Sequence, residues 1–366
     1  MNPITKPKVV LITNIPSPYR IPIFDRLASR FPGFTVIYCK RLEPDREWLV
    51  PELRHDAVFL DSATIALKGR FIHLGLNIAP KLLKLNPDIV ITTQYYPACL
   101  IGFLYAEILG RRHVCMYDGW AGFDRHLSPM HHWLRALFYR FSDAFIGVSS
   151  HTRKLFESYR AISGNQYFWS PLCIDNSRFS GGPEVPKRYD IMLSGRIVEI
   201  KLPEFTAKVL SEVRKRRPGL KVLIVGSGDK LPWLQQQLQN DGVPFDCPGF
   251  IQQSELPSYY RQARLLLMPT TGDCWGLVAN EAMAAGIPVI TTPDAGAKDD
   301  LVKHGKNGYV LEPEAGIWVD HILRLLEDPS LYAAFSADAV TAVLPYTFDR
   351  AADGISEAIA YCRTLG

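Results

Sequence analysis

Two acidic residues, Asp273 and Glu281, lie eight positions apart across a turn and the start of a predicted helix. A short apolar strand over 264–269 leads into the turn, a small-residue helix follows over 276–285, and the next strand spans 288–292. The free N–H groups and positive dipole end of such a helix suit a diphosphate. Glu281, two turns into the helix, can accept hydrogen bonds from ribose hydroxyls. The spacing predicts a nucleotide-sugar site; the alternative is that Asp273 only caps the helix.

Two cations follow another predicted strand, 190–194. Arg196 and Lys201 lie in the loop after it. A guanidinium gives a bidentate contact to phosphate and an ammonium a point charge, so together they offset negative charge on a leaving phosphate. The alternative is a solvated surface loop. The turn over 225–229 contains Gly-x-Gly but lacks the third glycine of a dinucleotide-binding fingerprint, so alone it is a weak signal.

The run from 273 to 289 resembles the motif of family 4 glycosyltransferases of the GT-B fold, in which Glu-x-Phe-Gly and four further residues precede Glu-Ala-Met-Ala-x-Gly-x-Pro-Val. This chain has Asp273, Trp275, Gly276 and Glu281 at the matching positions, so the first acid is Asp instead of Glu. The resemblance implies that Asp273 contacts the donor sugar and that Glu281 holds the ribose. The positions it assigns to donor binding are Gly195, Gly228, Ile251, Cys274, Trp275, Gly276, Leu277 and Glu281.

The loop after residue 194 resembles the Gly-Arg-Leu-(x)3-Lys element of the same family, whose cations hold the donor diphosphate. Phe250 and Ile251 match a segment that borders the base, although core packing is the favoured interpretation of these two side chains. The resemblance covers most of residues 140–361 and only thinly 1–139. It implies a retaining reaction of the bacterial polysaccharide or glycolipid type. The predicted catalytic residues are Arg196, Lys201, Asp273 and Asp118.

The N-terminal half offers candidates for acceptor binding. Tyr19 and Arg20 follow a proline-rich turn that resembles the Pro-x-Pro-Tyr-Arg opening of some bacterial polysaccharide glycosyltransferases. The alternative is that the prolines end a strand and Arg20 is paired on the surface. Tyr117 and Asp118 stand where many relatives have a His. Asp118 is a candidate to take the acceptor proton, but an ordinary Asp is a weak base near neutral pH.

Apolar strand-like runs alternate with helical stretches through both halves of the chain, which predicts an α/β fold with parallel sheets. The predicted strands span 9–13, 34–39, 89–92, 113–117 and 144–148 in the first half and 190–194, 221–225, 245–247, 265–268 and 289–292 in the second. We expect two Rossmann-like domains that face each other across a cleft, as in the GT-B fold. The predicted N-terminal acceptor domain spans 1–180 and the nucleotide-sugar domain 188–345, separated by a Gly/Pro-rich linker over 176–187. The resemblance implies that a helix over 346–366 returns to the N-terminal domain.

Composition narrows the class of protein. The chain has 366 residues, which exceeds one ordinary core, and seven scattered cysteines without a Cys-x-x-Cys pair, which argues against a disulfide framework or structural zinc. We therefore expect a reducing, cytoplasmic location. The start of the chain runs straight into a strand and the longest apolar run, 98–106, is too short to span a bilayer, so neither a signal peptide nor a transmembrane helix is expected.

Charge is divided unevenly: residues 1–170 hold 21 Lys and Arg against 13 Asp and Glu, and residues 171–366 hold 20 against 24. Basic and apolar residues lie side by side over 67–72, 80–85 and 131–141. Such segments can rest on anionic lipid, so peripheral contact with the inner face of the cytoplasmic membrane is one interpretation, and ordinary core-facing helices with basic edges are the other. Nucleic-acid binding is not expected, because the basic residues are dispersed and no recognised motif accompanies them.

A metal site is not predicted. The histidines share no ligand spacing with acids or cysteines, and the chain lacks an Asp-x-Asp triplet. With cations and a helix start available for the diphosphate, donor binding is expected to be metal-independent.

These features predict a retaining glycosyltransferase, of hexosyltransferase type, that moves a sugar from a nucleoside diphosphate to a glycan or lipid-linked acceptor in cell-surface polysaccharide biosynthesis. Uridine is favoured only because it is the commonest base in the family. A non-catalytic nucleotide-sugar-binding subunit that supports a partner enzyme is the alternative, since the first acid is shortened and the His is missing. A nicotinamide-dependent dehydrogenase is disfavoured by the incomplete glycine fingerprint.

Overall fold

The computed structural model of the protein describes residues 6–44, 46–67, 70–159, 162, 164–181 and 185–365. The chain forms two compact units. The first comprises the described residues up to Leu172 together with those from Phe348 onward, and the second is Cys173–Thr347.

The first unit is built on a parallel sheet of seven strands in the order β3-β2-β1-β6-β7-β8-β9, beside an antiparallel pair, β4-β5. Its strands are β1 Val9–Thr13, β2 Phe34–Tyr38, β3 Asp56–Phe59, β4 Thr64–Leu67, β5 Arg70–His73, β6 Ile89–Thr92, β7 Arg112–Tyr117, β8 Ala144–Gly147 and β9 Tyr167–Trp169. Its helices are α1 Ile21–Arg30, α2 Ile78–Leu85, α3 Pro97–Ile108, α4 Ala121–Asp124, α5 Pro129–Phe141, α6 Ser150–Tyr159 and α14 Phe348–Thr364. The central strands β1, β6 and β8 are buried along their whole length, because helices and neighbouring strands cover parallel sheets.

The second unit contains a parallel sheet of six strands in the order β12-β11-β10-β13-β14-β15. The strands are β10 Tyr189–Ser194, β11 Val222–Val225, β12 Phe245–Gly249, β13 Ala263–Met268, β14 Val289–Thr291 and β15 Gly308–Val310. The helices are α7 Asn176–Ser180, α8 Pro203–Arg216, α9 Leu231–Asn240, α10 Leu256–Tyr260, α11 Leu277–Ala284, α12 Ala315–Glu327 and α13 Pro329–Val343. Strands β10, β11 and β13 are neighbours in the sheet, so the loops that follow them start at one edge.

The α/β fold with two parallel-sheet units is the predicted one, and each predicted strand lies within two residues of its observed bounds. The division between the units differs from the predicted boundary at 180. The start of the predicted linker is a helix, α7, whose N-terminus is capped by Asp175 and whose Phe179 is buried. Because α7 packs on α10 and α11, it belongs to the second unit. Residues 182–184 of the predicted linker lie outside the described residues.

The C-terminal helix α14 packs against α1, β8 and β9 of the first unit. Ser170 donates to the backbone oxygen of Ala351 at 2.9 Å, and Arg26 forms an ion pair with Asp349 at 2.6 Å. Within the described residues, no helix combines the length and the apolar character that crossing a bilayer requires.

Candidate functional site

Three loops of the second unit leave neighbouring strands at the same edge of the sheet. The loop after β10 carries Arg196 and Lys201, the loop after β11 carries Gly226 and Gly228, and the loop after β13 carries Asp273. We call this group, together with Glu281 of α11, the carboxyl-edge site. In open parallel sheets, ligands bind outside the carboxyl ends of the strands, which is where these residues lie.

The loops after β10 and β11 touch through their backbones. Gly195 donates its N–H to the Val225 oxygen at 2.9 Å, and Ile197 donates to the Ser227 oxygen at 2.8 Å. Gly226 has φ +142°, and a Cβ there would lie 1.9 Å from the Gly195 oxygen. No side chain fits at that distance, so a glycine is required and the two loops are held in one arrangement.

Lys201 and Asp273 form an ion pair between the ammonium and Oδ2. Each side chain is about one quarter exposed, at 25% and 23%. The contact is supported by the backbone, since the Thr271 N–H and the Thr270 hydroxyl both donate to the Ile200 oxygen, at 2.9 and 3.0 Å. Two residues predicted to hold different parts of one donor therefore bind each other.

Asp273 also shapes the turn that leads into α11. Its Oδ1 accepts a hydrogen bond from the Trp275 N–H at 3.1 Å, while Oδ2 faces Lys201. The following Gly276 has φ +99° and its missing Cβ leaves room for the Met268 sulfur. Asp273 thus orders the turn without capping α11, whose N-cap residue is Gly276 and has no side-chain capping hydrogen bond. Its second oxygen lies on a partly exposed cation.

The residues that follow present their backbone, because their side chains are used inside the unit. The indole of Trp275 is buried, donates to Asn280 Oδ1 at 2.7 Å and packs on Tyr346. Cys274 is half-buried, and helix α11 begins at Leu277. Any contact of this turn with a phosphate would be made by N–H groups at the helix start.

Glu281 is a buried carboxyl in α11. The Tyr260 hydroxyl donates to Glu281 Oε2 at 2.6 Å and lies 2.8 Å from the Ser194 Oγ at the end of β10. Burial raises the pKa of Glu281 to about 7, although the hydrogen bond from Tyr260 acts in the opposite direction. Among the described residues, no cation forms an ion pair with this carboxyl, although the more distant Arg178 guanidinium also acts to lower its pKa. The Tyr260 hydroxyl is therefore its direct partner.

Tyr260 and Ser194 are the members of this arrangement that the sequence did not identify. Two adjacent tyrosines, Tyr259 and Tyr260, end α10. Tyr260 is fully buried whereas Tyr259 is half-buried. Which of the two turns inward depends on the rotational phase of a five-residue helix, for which the sequence carries no clear signal.

The segment after β12 lies beside the glycine turn, since Gly226 donates its N–H to the Gly249 oxygen at 2.8 Å. Phe250 is 36% exposed and Ile251 is half-buried. Core packing is therefore not the role of Phe250, and both side chains stay candidates to flank a base.

The candidate acceptor residues lie in the first unit. Arg20 is buried and forms an ion pair with Asp118 at 2.5 Å, so the alternative of a surface pairing for Arg20 does not describe its position. The Asp118 side chain is 31% exposed. Tyr19 is half-buried, and burial, with the nearby Asp118 carboxylate, raises the pKa of its phenol.

Tyr117 belongs to a separate buried network. Its hydroxyl donates to Asp124 Oδ1 at 2.7 Å and accepts a hydrogen bond from Arg135 at 2.7 Å. Arg135 also forms an ion pair with Asp124, and both side chains are 4% exposed. The guanidinium lies over the rings of Tyr95 and Tyr117. The hydroxyl predicted to bind an acceptor is thus occupied within the unit.

Histidines were not predicted to form a metal site. His113 is buried between Thr92 and Ser142, at 3.0 and 2.9 Å, and burial lowers its pKa to about 3. In the described part of the chain, His, Cys, Asp and Glu side chains do not come together in groups of three or more that could hold a metal ion.

Two family profiles match the chain in succession. The profile of Glycosyltransferase Family 4 matches residues 34–177, and that of Glycosyl transferases group 1 matches residues 176–340. Most of both units is therefore matched, including the N-terminal half in which the sequence motifs were thin.

Curated relatives match parts of the chain. A D-inositol 3-phosphate glycosyltransferase of Pseudarthrobacter chlorophenolicus is 32% identical over 153 residues, which make up 40% of this chain and 36% of the relative. A GDP-mannose-dependent alpha-(1-6)-phosphatidylinositol monomannoside mannosyltransferase of Mycobacterium tuberculosis is 30% identical over 217 residues, which make up 54% of this chain and 56% of the relative. The matches span between 36% and 56% of the length of these relatives.

A crystal structure of HepE from Anabaena, in complex with UDP and glucose, is similar over the whole chain. The TM-score is 0.75 at 17% sequence identity, and the match covers 98% of this chain and 99% of that chain. At this identity the similarity shows that the fold is shared.

Proposed function

Because the chain belongs to the family 4 glycosyltransferases of the GT-B fold, we propose that it transfers a sugar from a nucleoside-diphosphate sugar to a glycan or lipid-linked acceptor in cell-surface polysaccharide biosynthesis. The observation that carries this proposal is the carboxyl-edge site. Two cations, a backbone-locked glycine turn, a helix start and a buried carboxyl follow three neighbouring strands of one sheet.

In the proposed reaction, Arg196 and Lys201 hold the donor diphosphate, together with N–H groups of the turn before α11. Asp273 accepts hydrogen bonds from hydroxyls of the sugar, and Glu281 accepts them from the ribose. The acceptor oxygen bonds to the anomeric carbon as the bond from that carbon to the diphosphate oxygen breaks. The acceptor proton passes to a departing phosphate oxygen, which agrees with the lack of a His beside Asp118. This path retains the anomeric configuration, because attack and departure occur on one face of the sugar.

In this proposal, donor binding replaces an existing ion pair between two site residues with contacts to the donor. The Lys201–Asp273 ion pair has to open so that the ammonium faces phosphate and the carboxylate faces the sugar. Both groups are only partly buried, which keeps the cost of separating them modest. No metal takes part in this scheme, since the cations and the helix start supply the positive charge.

UDP is the proposed nucleotide. The similar proteins use different nucleotides, so the choice between UDP and GDP has to be tested. HepE binds UDP, whereas the mycobacterial mannosyltransferase depends on GDP-mannose. The direct experiment measures thermal stabilisation of the purified chain by UDP, GDP, ADP, their sugar conjugates and NAD, with a chelator present. Stabilisation by a single sugar nucleotide identifies the donor. Silence of every sugar nucleotide, or stabilisation by NAD alone, would contradict the proposal.

A non-catalytic subunit that only binds the nucleotide sugar is the second candidate. The shortened acid, Asp273, and its ion pair with Lys201 favour it, because both reduce what the site offers to a sugar. Release of free nucleotide by the purified chain with a suitable acceptor decides between the two. Turnover excludes the subunit function, and tight donor binding without turnover on added membranes supports it.

Contact with the inner face of the cytoplasmic membrane is part of the proposal. In the first unit, α5 exposes Met130 and Trp133, and α2 exposes Leu83 next to Lys84. Arg135, one of the basic residues of the segment 131–141, is buried in its ion pair and is unavailable to lipid. Lys68 and Gly69 of the segment 67–72 lie outside the described residues. Trp133→Ser should weaken sedimentation with anionic vesicles, and equal sedimentation would contradict membrane contact through α5.

A further inference from the structure

The sheet of the second unit has a basic pocket at the edge opposite the carboxyl-edge site. Lys187 and Arg188 precede β10, Lys221 precedes β11, and Arg264 is the second residue of β13. Because these strands are neighbours, their amino ends bring the cations to one place. Arg217, after α8, completes the group. We call this the amino-edge pocket.

The pocket is unevenly charged. Its five cations are accompanied by one lining carboxylate, Asp190, among the described residues. That carboxylate is already engaged, since Oδ1 accepts from Arg217 at 3.0 Å and Oδ2 accepts from the Lys221 N–H at 3.1 Å. Arg217 is also the C-cap residue of α8, where a cation balances the helix dipole. Apart from the Arg217–Asp190 pair, four cations line the pocket, and among the described residues no second carboxylate lines it.

The excess of positive charge in the amino-edge pocket is unexpected for this half of the chain. Residues 171–366 hold 20 Lys and Arg against 24 Asp and Glu, so this half of the chain is acidic as a whole. Repulsion between like charges opposes such a concentration unless an anion offsets it. Partial desolvation of its ammonium, with Arg264 nearby, lowers the pKa of Lys187 to about 8, although the residue as a whole is exposed at the mouth of the pocket.

The pocket has the size and the ordered donors that a small anionic ligand needs. Its volume is about 410 Å³, within the range of roughly 300–1,000 Å³ typical of small-molecule sites. The Arg264 guanidinium lies 5.0 Å from the centre of the Tyr332 ring and donates to the Leu326 oxygen at 3.4 Å, which holds it in place. A stacked guanidinium of this kind suits bidentate binding of phosphate oxygens.

We propose that the amino-edge pocket binds a phosphate-bearing anion, separately from the donor site. Four cations match two or more phosphate groups, so a diphosphate, a triphosphate or the phosphate headgroup of a lipid is the class of ligand. The pocket lies at the other end of β10, whose six residues span about 20 Å. A ligand there leaves the carboxyl-edge site open and can act as an effector or an anchor.

The test uses inorganic triphosphate as the probe, in calorimetric titrations at low salt, because salt screens exposed charges. To remove binding at the donor site, all chains carry Arg196→Ala and Lys201→Ala. We expect Lys187→Ala with Arg264→Met to weaken triphosphate binding at least tenfold. The matched control is Lys306→Ala, which removes an exposed ammonium elsewhere in the unit. Arg264→Met keeps an unbranched stem against Tyr332, and thermal unfolding without ligand verifies the fold.

Equal triphosphate affinity in the pocket variant and the control would overturn the proposal. If Arg264→Met impairs folding, Lys187→Ala with Lys221→Ala repeats the comparison at exposed positions. A second arm separates the two sources of phosphate. If the ligand is a lipid headgroup, vesicles of phosphatidylcholine with phosphatidic acid should bind the control more tightly than the pocket variant, and triphosphate should remove that difference. If triphosphate binding is lost in the pocket variant while both chains bind the vesicles equally, the ligand is a soluble anion.

Discussion

Each unit buries a carboxyl group, and the two are satisfied in opposite ways. Asp124 of the first unit faces the Arg135 guanidinium and the Tyr117 hydroxyl, so its charge is cancelled by a cation in the same unit. Glu281 of the second unit has the Tyr260 hydroxyl and, among described residues, no paired cation. We expect the carboxylate of Asp124 to stabilise the fold, and Glu281, whose direct partner is a hydroxyl, to be the carboxyl that binds a ligand.

The surrounding residues differ less. Side chains are engaged with one another in both places, as in Arg20–Asp118 and Lys201–Asp273. The carboxyl-edge site is in addition shaped by the close backbone approach of Gly226 to Gly195. This comparison leads to five predictions. Each one compares a variant with a control or with the wild type, and equal behaviour of the two would contradict it.

The largest effect is expected from Asp124→Asn. Removing this charge leaves Arg135 buried without a compensating carboxylate, which costs about 3–5 kcal/mol of unfolding free energy. Denaturant titration measures the loss. The control is Glu157→Gln in the exposed Arg153–Glu157 pair, expected to cost less than about 1 kcal/mol. If Asp124→Asn instead weakened donor binding at unchanged stability, the structural assignment of this carboxylate would be wrong.

Gly226→Ala should cost about 2–4 kcal/mol, since the added Cβ meets the backbone oxygen of Gly195 and the left-handed φ is strained. Unfolding of the variant reports the loss. Gly316→Ala in α12, where a Cβ meets open space, should be neutral or slightly stabilising. Similar stability of the two variants would show that the loops after β10 and β11 can separate without penalty.

Glu281 should make stability depend on pH. Below the ordinary carboxyl pKa of 4.5 it is protonated in both states, and between 4.5 and about 7 only the unfolded chain loses the proton. The stabilisation present at low pH is therefore lost as the pH rises towards 7, by an amount on the order of 3 kcal/mol. Denaturation of wild type and Glu281→Gln at pH 5 and pH 8 should reveal a steeper fall for wild type; parallel profiles would exclude the shift.

Glu281→Ala should weaken binding of the donor by about 10- to 100-fold, because hydrogen bonds from ribose hydroxyls to a carboxylate are worth about 1.5–3 kcal/mol. Affinity is measured by calorimetry with the nucleotide sugar identified in the stabilisation panel. Glu255→Ala, an exposed acid before α10, is the control. Unchanged donor affinity in Glu281→Ala would remove ribose binding from its role.

The smallest effect is expected from Tyr260→Phe. Loss of one hydrogen bond to Glu281 should lower donor affinity about fivefold, near 1 kcal/mol. The same change should move the pH midpoint of donor affinity upwards, since the bond from Tyr260 favours the ionised carboxyl. Tyr259→Phe on the neighbouring residue should alter neither quantity. A drop in affinity without a shifted midpoint would make Tyr260 a packing residue only.

Much of the fold follows from the sequence, because buried parallel strands appear as continuous apolar runs. The strands that escaped prediction are β3, β9 and β15 at sheet edges and the separate pair β4-β5. Each of these strands has only three or four residues, so its composition carries little pattern. β3 and β9 are also partly exposed, whereas β15 is mostly buried. The motif around Asp273 and Glu281 named residues that the structure places after neighbouring strands of the second unit, and their roles in binding stay predictions. The partners of these two carboxyl groups were not predicted. The Lys201–Asp273 ion pair and the Tyr260–Glu281 hydrogen bond depend on how separate loops and helices meet in space.

The backbone of Gly226 lies so close to the Gly195 oxygen that no Cβ fits between them. This close approach limits which substitutions the sequence can accept as it diverges. The loop geometry there depends on the absence of a few atoms, not on the chemistry of many side chains. Substitutions can accumulate over most of the unit while this small set of positions stays intolerant. That agrees with a shared fold at 17% identity to HepE, and it predicts that a saturation library would show sharp intolerance at 226 surrounded by permissive surface.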